Sequence, residues 1–154
     1  MQAIVFGGTR GVGRQIVDTF HKRQIPVVFT GTDFFQIKKI EQEYKNPKAL
    51  RGIPLKMEEP EKFPRFVENV YNSGFQPNVL IFNAGYLSLR QREKDKNLQK
   101  LFEINTLAPI MLTEHFLPHM RKKNFGHLIY TCPPYTIDDK VKYLTPYMQS
   151  KLAQ

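Results

Sequence analysis

A glycine-rich turn close to the N-terminus constrains the fold of this chain more than any other feature. Gln2-Ala3-Ile4-Val5-Phe6 is a short apolar run with β-branched residues, the pattern of a strand buried in a parallel sheet. Gly7, Gly11 and Gly13 remove side chains where the chain must turn. Val12, Ile16, Val17 and Phe20 then recur at helical spacing. Strand, glycine turn and helix together place free backbone N–H groups and the positive end of a helix dipole at one point, which suits a diphosphate. A plain tight turn would use the same glycines. Position and flanking elements favour the phosphate site, which would comprise Gly7, Thr9, Arg10, Gly11, Val12 and Gly13.

The rest of the chain alternates strands and helices. Strands are expected at residues 3–6, 25–30, 50–55, 79–82 and 127–131. Helices are expected at about Gly11–Lys22, Phe34–Tyr44, from the Pro60–Pro64 segment to Gly74, at about Asn97–Lys122, and from Pro146 onward. Asn46-Pro47 and Cys132-Pro133-Pro134 read as breaks, Tyr86–Asp95 as a polar loop or short turn, and residues 135–144 as a polar loop. Pro109 should bend the long helix or mark the boundary of its first half. Such alternation implies an α/β fold, a doubly wound parallel sheet covered by helices on both faces. In that architecture ligands bind beyond the carboxyl ends of the strands. The glycine turn, Thr32-Asp33, Asn83-Ala84-Gly85 and Cys132 all follow strands, so all should line one edge. With 154 residues the chain suffices for one domain, 1–154.

Charge and cysteine usage narrow the function classes. The net charge is +9, but the basic residues are scattered or grouped at the ends of expected helices (Lys22-Arg23, Lys38-Lys39, Arg121-Lys122-Lys123). Cations there suit the helix dipole and the solvent face, so a nucleic-acid partner is not expected. The single cysteine, Cys132, excludes an internal disulfide. No apolar run approaches the ~20 residues that cross a bilayer, and no signal core opens the chain, so a cytoplasmic protein without a membrane partner is expected. His21, His115, His119 and His127 form no ligand-like set, and no metal is expected.

With these motifs in hand, the chain resembles the short-chain dehydrogenase/reductase family. Gly7-x-x-x-Gly11-x-Gly13 is similar to its nucleotide turn, and Asn83-Ala84-Gly85 to its motif after the fourth strand. Asn105 matches the asparagine of its catalytic tetrad, and Tyr147-x-x-x-Lys151 its active-site pair. Cys132-Pro133-Pro134 is similar to a Ser-Pro-Pro stretch of the hydroxysteroid dehydrogenase-like branch. The resemblance implies a Rossmann-type domain, truncated after the fifth strand and the start of the following helix. It implies hydride transfer between a nicotinamide cofactor and a carbonyl or alcohol substrate. Tyr147 would be the acid/base, and Lys151 would lower its pKa and bind the ribose along with Tyr147. Asn105 would support a proton relay, and the enzyme is expected to be a homo-oligomer. Tyrosine ordinarily titrates near ~10, and a lysine one helical turn away would favour tyrosinate.

The chain departs from the family at three places. Cys132, as a small buried hydrophobe or a weaker donor, stands where the catalytic serine belongs. Lys56 stands where an aspartate usually follows the third strand. The chain ends just beyond Lys151, leaving the fifth strand as an expected open apolar edge. At the end of the second strand Gly31-Thr32 lacks the acid that binds the ribose diol of NAD, and Arg10 is basic. NADP is therefore expected over NAD, unless Asp33, slightly later, takes the role of that acid. The alternative is a non-catalytic dinucleotide-binding module acting as an interaction protein.

Overall fold

The computed structural model describes residues 1–44, 49–87, 94–132 and 145–154, without the side chains of 94–97 and 145. Five strands are joined by helices: β1 (Ala3–Phe6), α1 (Gly11–Lys22), β2 (Val27–Gly31), α2 (Phe34–Gln42) and β3 (Leu50–Pro54). A 3-10 turn (Pro60–Lys62) leads into α3 (Phe63–Asn72), followed by β4 (Val79–Phe82) and α4 (Lys94–Phe102). Then come a π-turn (Glu103–Leu107), α5 (Ala108–Lys122), β5 (His127–Tyr130) and α6 (Thr145–Leu152). The expected breaks at Asn46-Pro47 and Pro133-Pro134, the loop 135–144 and residues 88–93 lie outside the described residues.

All pairings are parallel, in the order β3-β2-β1-β4-β5. The doubly wound α/β class expected from the alternation is what the chain adopts. Strand order reverses between β1 and β4, and a crevice opens at such a point beyond the strand ends. In the central strands successive residues face opposite layers. Ile4, Phe6, Leu80 and Phe82 pack against α3 and α5 through Phe63, Phe66, Val70, Leu112 and Phe116. Ala3, Val5, Phe29 and Ile81 face Val17 of α1 and Ile37 and Ile40 of α2. Both faces are thus buried, which explains why β1 and β4 read as unbroken apolar runs rather than alternating ones.

Several local expectations change. The long helix over 97–122 is three segments: α4, the π-turn and α5. Pro109 sits in the first turn of α5, at the boundary of the first half of the long helix, as its position led us to expect. Pro118 lies inside α5. Leu98 and Phe34, placed on apolar faces by spacing, are exposed, as is Val12. β5 is an edge strand with Leu128 and Ile129 exposed, as the sequence led us to expect. Among the described residues no helix is long and apolar enough to cross a membrane, and no cluster of three or more His, Cys, Asp or Glu is placed to hold a metal. His119 stacks on Tyr71 instead, with ring centroids 3.9 Å apart.

Candidate functional site

The glycine turn and the turn after β4 are built against each other. Gly7 adopts a φ of +81°, and a methyl group added there would lie 2.7 Å from both N and Cα of Ala84. One added at Gly13 would lie 2.1 Å from the Gly7 carbonyl oxygen and 2.5 Å from Asn83 Nδ2. That nitrogen donates to the same carbonyl at 2.9 Å. Asn83 therefore clamps the turn, and only a hydrogen fits at position 13. The other side is fixed by β2. Gly7 N donates to Thr30 Oγ1 at 3.2 Å, Gly8 N to the Thr30 carbonyl at 2.9 Å, and Thr9 lies against Gly31.

The start of α1 fits an anion. Arg10 precedes the helix with extended backbone, no side chain caps the first turn, and no acid lies within it. The leading N–H groups thus have no side-chain acceptor, and Arg10 is exposed beside them. Gly11, at φ +55°, faces open space. Thr32 is exposed, and the Asp33 carboxylate accepts the Gln36 N–H at 3.1 Å as the cap of α2.

At the other end of the crevice, α6 brings Tyr147 to the same turn. A methyl group added at Gly85 would lie 3.6 Å from the Tyr147 hydroxyl and 3.5 Å from Asn105 Oδ1. Lys151, only 2% exposed, donates from Nζ to the Ala84 carbonyl at 3.2 Å. Asn105 is fully buried in the π-turn; such turns mark irregular, often functional, places in helices. Its Oδ1 accepts from Tyr86 N at 2.7 Å, and its Nδ2 donates to Tyr86 O at 2.9 Å and to Ser150 Oγ at 3.0 Å. The site residues expected along the sheet edge are thus brought together around Asn83-Ala84-Gly85, with Thr32 and Arg10 at the outer end.

Two expectations need correction. Cys132 is exposed, not a small buried hydrophobe, and its thiol donates to the Lys151 carbonyl at 3.3 Å. The sequence also led us to expect that Lys151 lowers the Tyr147 pKa. Burial instead raises the phenol, and the neighbouring Cys132 adds to that rise. Lys151 itself is brought down from 10.5 to about 8 by burial, against a smaller opposing effect of Cys132. The missed residues are Thr30, Tyr86, Thr106 and Ser150. Only Ser150 carried a signal, as a small polar residue one helical turn from Tyr147.

A family model for short chain dehydrogenases matches residues 1–154. The chain belongs to the short-chain dehydrogenase family. It is similar to human 17-beta-hydroxysteroid dehydrogenase 13, with 26% identity over 153 residues, covering 97% of this chain and 51% of that protein. It is also similar to the 3-oxoacyl-[acyl-carrier-protein] reductase FabG of Salmonella typhimurium, with 29% identity over 129 residues, 82% of this chain and 52% of the reductase. The chain spans about half the length of the curated relatives it matches. Among solved structures, a metagenomic short-chain oxidoreductase in complex with NADP superposes with a TM-score of 0.88 at 23% identity, covering 99% of this chain and 71% of that one. A short-chain dehydrogenase from Streptomyces avermitilis gives 0.84 at 22% identity, over 98% and 55%.

Proposed function

We propose that the chain is the dinucleotide-binding domain, residues 1–154, of an oxidoreductase acting on a carbonyl or alcohol, with NADP(H) as cofactor. The observation that carries this reading is a shared seat. The glycine turn packs on Ala84 and the Tyr147 phenol lies by Gly85, so both ends of an extended dinucleotide would meet one three-residue turn. The cofactor would give or take the hydride. Its diphosphate would be held by the N–H groups opening α1. Arg10 and Thr32 would receive a 2′-phosphate, since no acid occupies the end of β2 and Asp33 is engaged as a helix cap. Lys151 and Tyr147 would bind the nicotinamide ribose.

Tyr147 would hold the proton exchanged with the substrate oxygen. Because burial raises this phenol in the protein alone, it is an acid held protonated at neutral pH, suited to donation in the carbonyl-reducing direction. Asn105, with both amide atoms engaged, would act by fixing the π-turn rather than by offering a free side chain. Leu107 at the end of the π-turn and Ile110 and Met111 in the first turn of α5, all exposed, support a homo-oligomer. The alternative module without turnover draws on Cys132, whose thiol faces the Lys151 carbonyl where the family has a serine.

Tyr147→Phe tests this reading. NADPH affinity, followed by fluorescence, should stay within a few-fold, and reduction of a carbonyl panel should fall by roughly 10²-fold or more. Unchanged turnover would refute the role of Tyr147. NADPH binding without turnover in the parent would favour the module.

A further inference from the structure

Among the described residues, none of α6 belongs to the two buried apolar clusters, so its seat is read from its polar contacts. The apolar layers account for little of that seat. Besides the Lys151–Ala84 and Cys132–Lys151 bonds, α6 is joined to the protein by a buried polar knot centred on Ser150, which has no exposed surface. The Ser150 hydroxyl donates to the Tyr147 carbonyl at 2.7 Å and accepts from Asn105 Nδ2 at 3.0 Å. The Ser150 carbonyl makes a further contact with the π-turn. It accepts from Thr106 Oγ1 at 2.7 Å. Asn105 in turn holds both N–H and C=O of Tyr86, two residues beyond Ala84. Three segments distant in sequence are therefore linked through the Asn105 amide: the turn after β4, the π-turn and, by the Ser150 hydroxyl, α6. Asn105 and Thr106 are buried as well, and in such surroundings water does not compete for these bonds.

We propose that Ser150 is a positioning residue, which through Asn105 and Thr106 sets the depth and rotation of α6 and so seats Lys151 against Ala84 and Tyr147 against Gly85. The consequence for turnover rests on the oxidoreductase reading; the seating itself does not. Ser150 lies between the two side chains it positions, one helical turn after Tyr147 and next to Lys151. A change in its two contacts is passed to both without touching a reacting atom. Among the described residues, the Lys151 amine meets the Ala84 carbonyl and lies near the Cys132 thiol. No carboxylate of the described residues bonds this ammonium, which is held by burial and the Ala84 carbonyl. Its proton affinity therefore reports directly on how deeply α6 sits.

The test needs no cofactor. The 154-residue chain is produced with lysine labelled at Cε, and the Lys151 signal is assigned by its loss in Lys151→Arg and titrated by NMR. In the parent it should titrate well below the other lysines. Ser150→Ala and Thr106→Val should each move it up by about one pH unit, roughly tenfold in proton affinity, while Thr106→Ser, which keeps the hydroxyl, should titrate with the parent. Chemical denaturation run alongside separates seating from stability, because a loss of stability alone leaves the Lys151 titration in place. If Ser150→Ala does not fold, the two Thr106 variants decide: a shift in Val but not in Ser supports the proposal. Parental titration in every folded variant, or a parent Lys151 that titrates with the surface lysines, would overturn it. Absence of NADPH binding to the parent would sink the proposed function while leaving this result standing.

Discussion

Burying the Lys151 amine should leave a measurable mark on stability. The ammonium is 2% exposed, so solvent screens it little, and burial brings it from 10.5 to about 8. At about 1.36 kcal/mol per pH unit, that displacement costs the folded chain about 3 kcal/mol at neutral pH. The sign follows from proton counting. Between about pH 8 and 10.5 the unfolded chain holds this proton and the folded chain has released it, so stability rises with pH across the window. Lys151→Met keeps the length of the side chain and removes the charge. It should therefore stabilise the protein by about 3 kcal/mol at pH 7 and by only about 1 kcal/mol at pH 10. Urea denaturation of parent and variant at the two pH values measures this difference. Tyr44 and Tyr71, both pushed up to about 12 mainly by burial, lower stability as they titrate above pH 10, but they are common to both chains and cancel. A Cys132→Ser background removes the neighbouring sulfur, which opposes the fall of the Lys151 pKa. An equal effect at pH 7 and pH 10, or a destabilised Lys151→Met at pH 7, would refute the reasoning.

The other predictions concern the crevice, its supports and the surface. Gly13→Ala should abolish NADPH binding and cost roughly 1–3 kcal/mol, because its methyl group breaks the Asn83–Gly7 clamp and leaves buried polar atoms unpaired; calorimetry and denaturation read both. Arg10→Glu should weaken NADPH roughly tenfold or more relative to NADH, since it replaces a charge-assisted contact with a repulsion; a ratio of affinities that does not move would refute the NADP assignment. Phe116→Ala, which empties the contact with Phe66 and Tyr71, should cost about 3–5 kcal/mol in thermal or urea unfolding. Met111→Glu on the exposed start of α5 should reduce the oligomer to monomer in sedimentation, whereas a parent already monomeric would end the oligomer proposal.

What the sequence alone determined was the order of the elements and the edge at which they converge. α1 and β4 begin and end at the residues that the apolar spacing and the flanking glycines mark. These signals are local: a strand buried on both faces must be apolar throughout, and a turn clamped by Asn83 must be glycine. Because Gly7, Thr32 and Asn83 each directly follow a strand, the parallel rule alone places those residues along one edge. Tertiary structure decided the rest. Val12, Leu98 and Phe34 have helical spacing but face solvent, because burial depends on which neighbour arrives and not on period. The π-turn at Asn105 is invisible to periodicity, since its extra residue is stabilised by bonds to Tyr86 and Ser150, 19 and 45 positions away. The Tyr147–Lys151 spacing predicts a cation lowering a phenol, yet in the fold burial dominates and moves both groups toward neutrality. Desolvation is a property of the assembled interior, and no spacing along the chain encodes it.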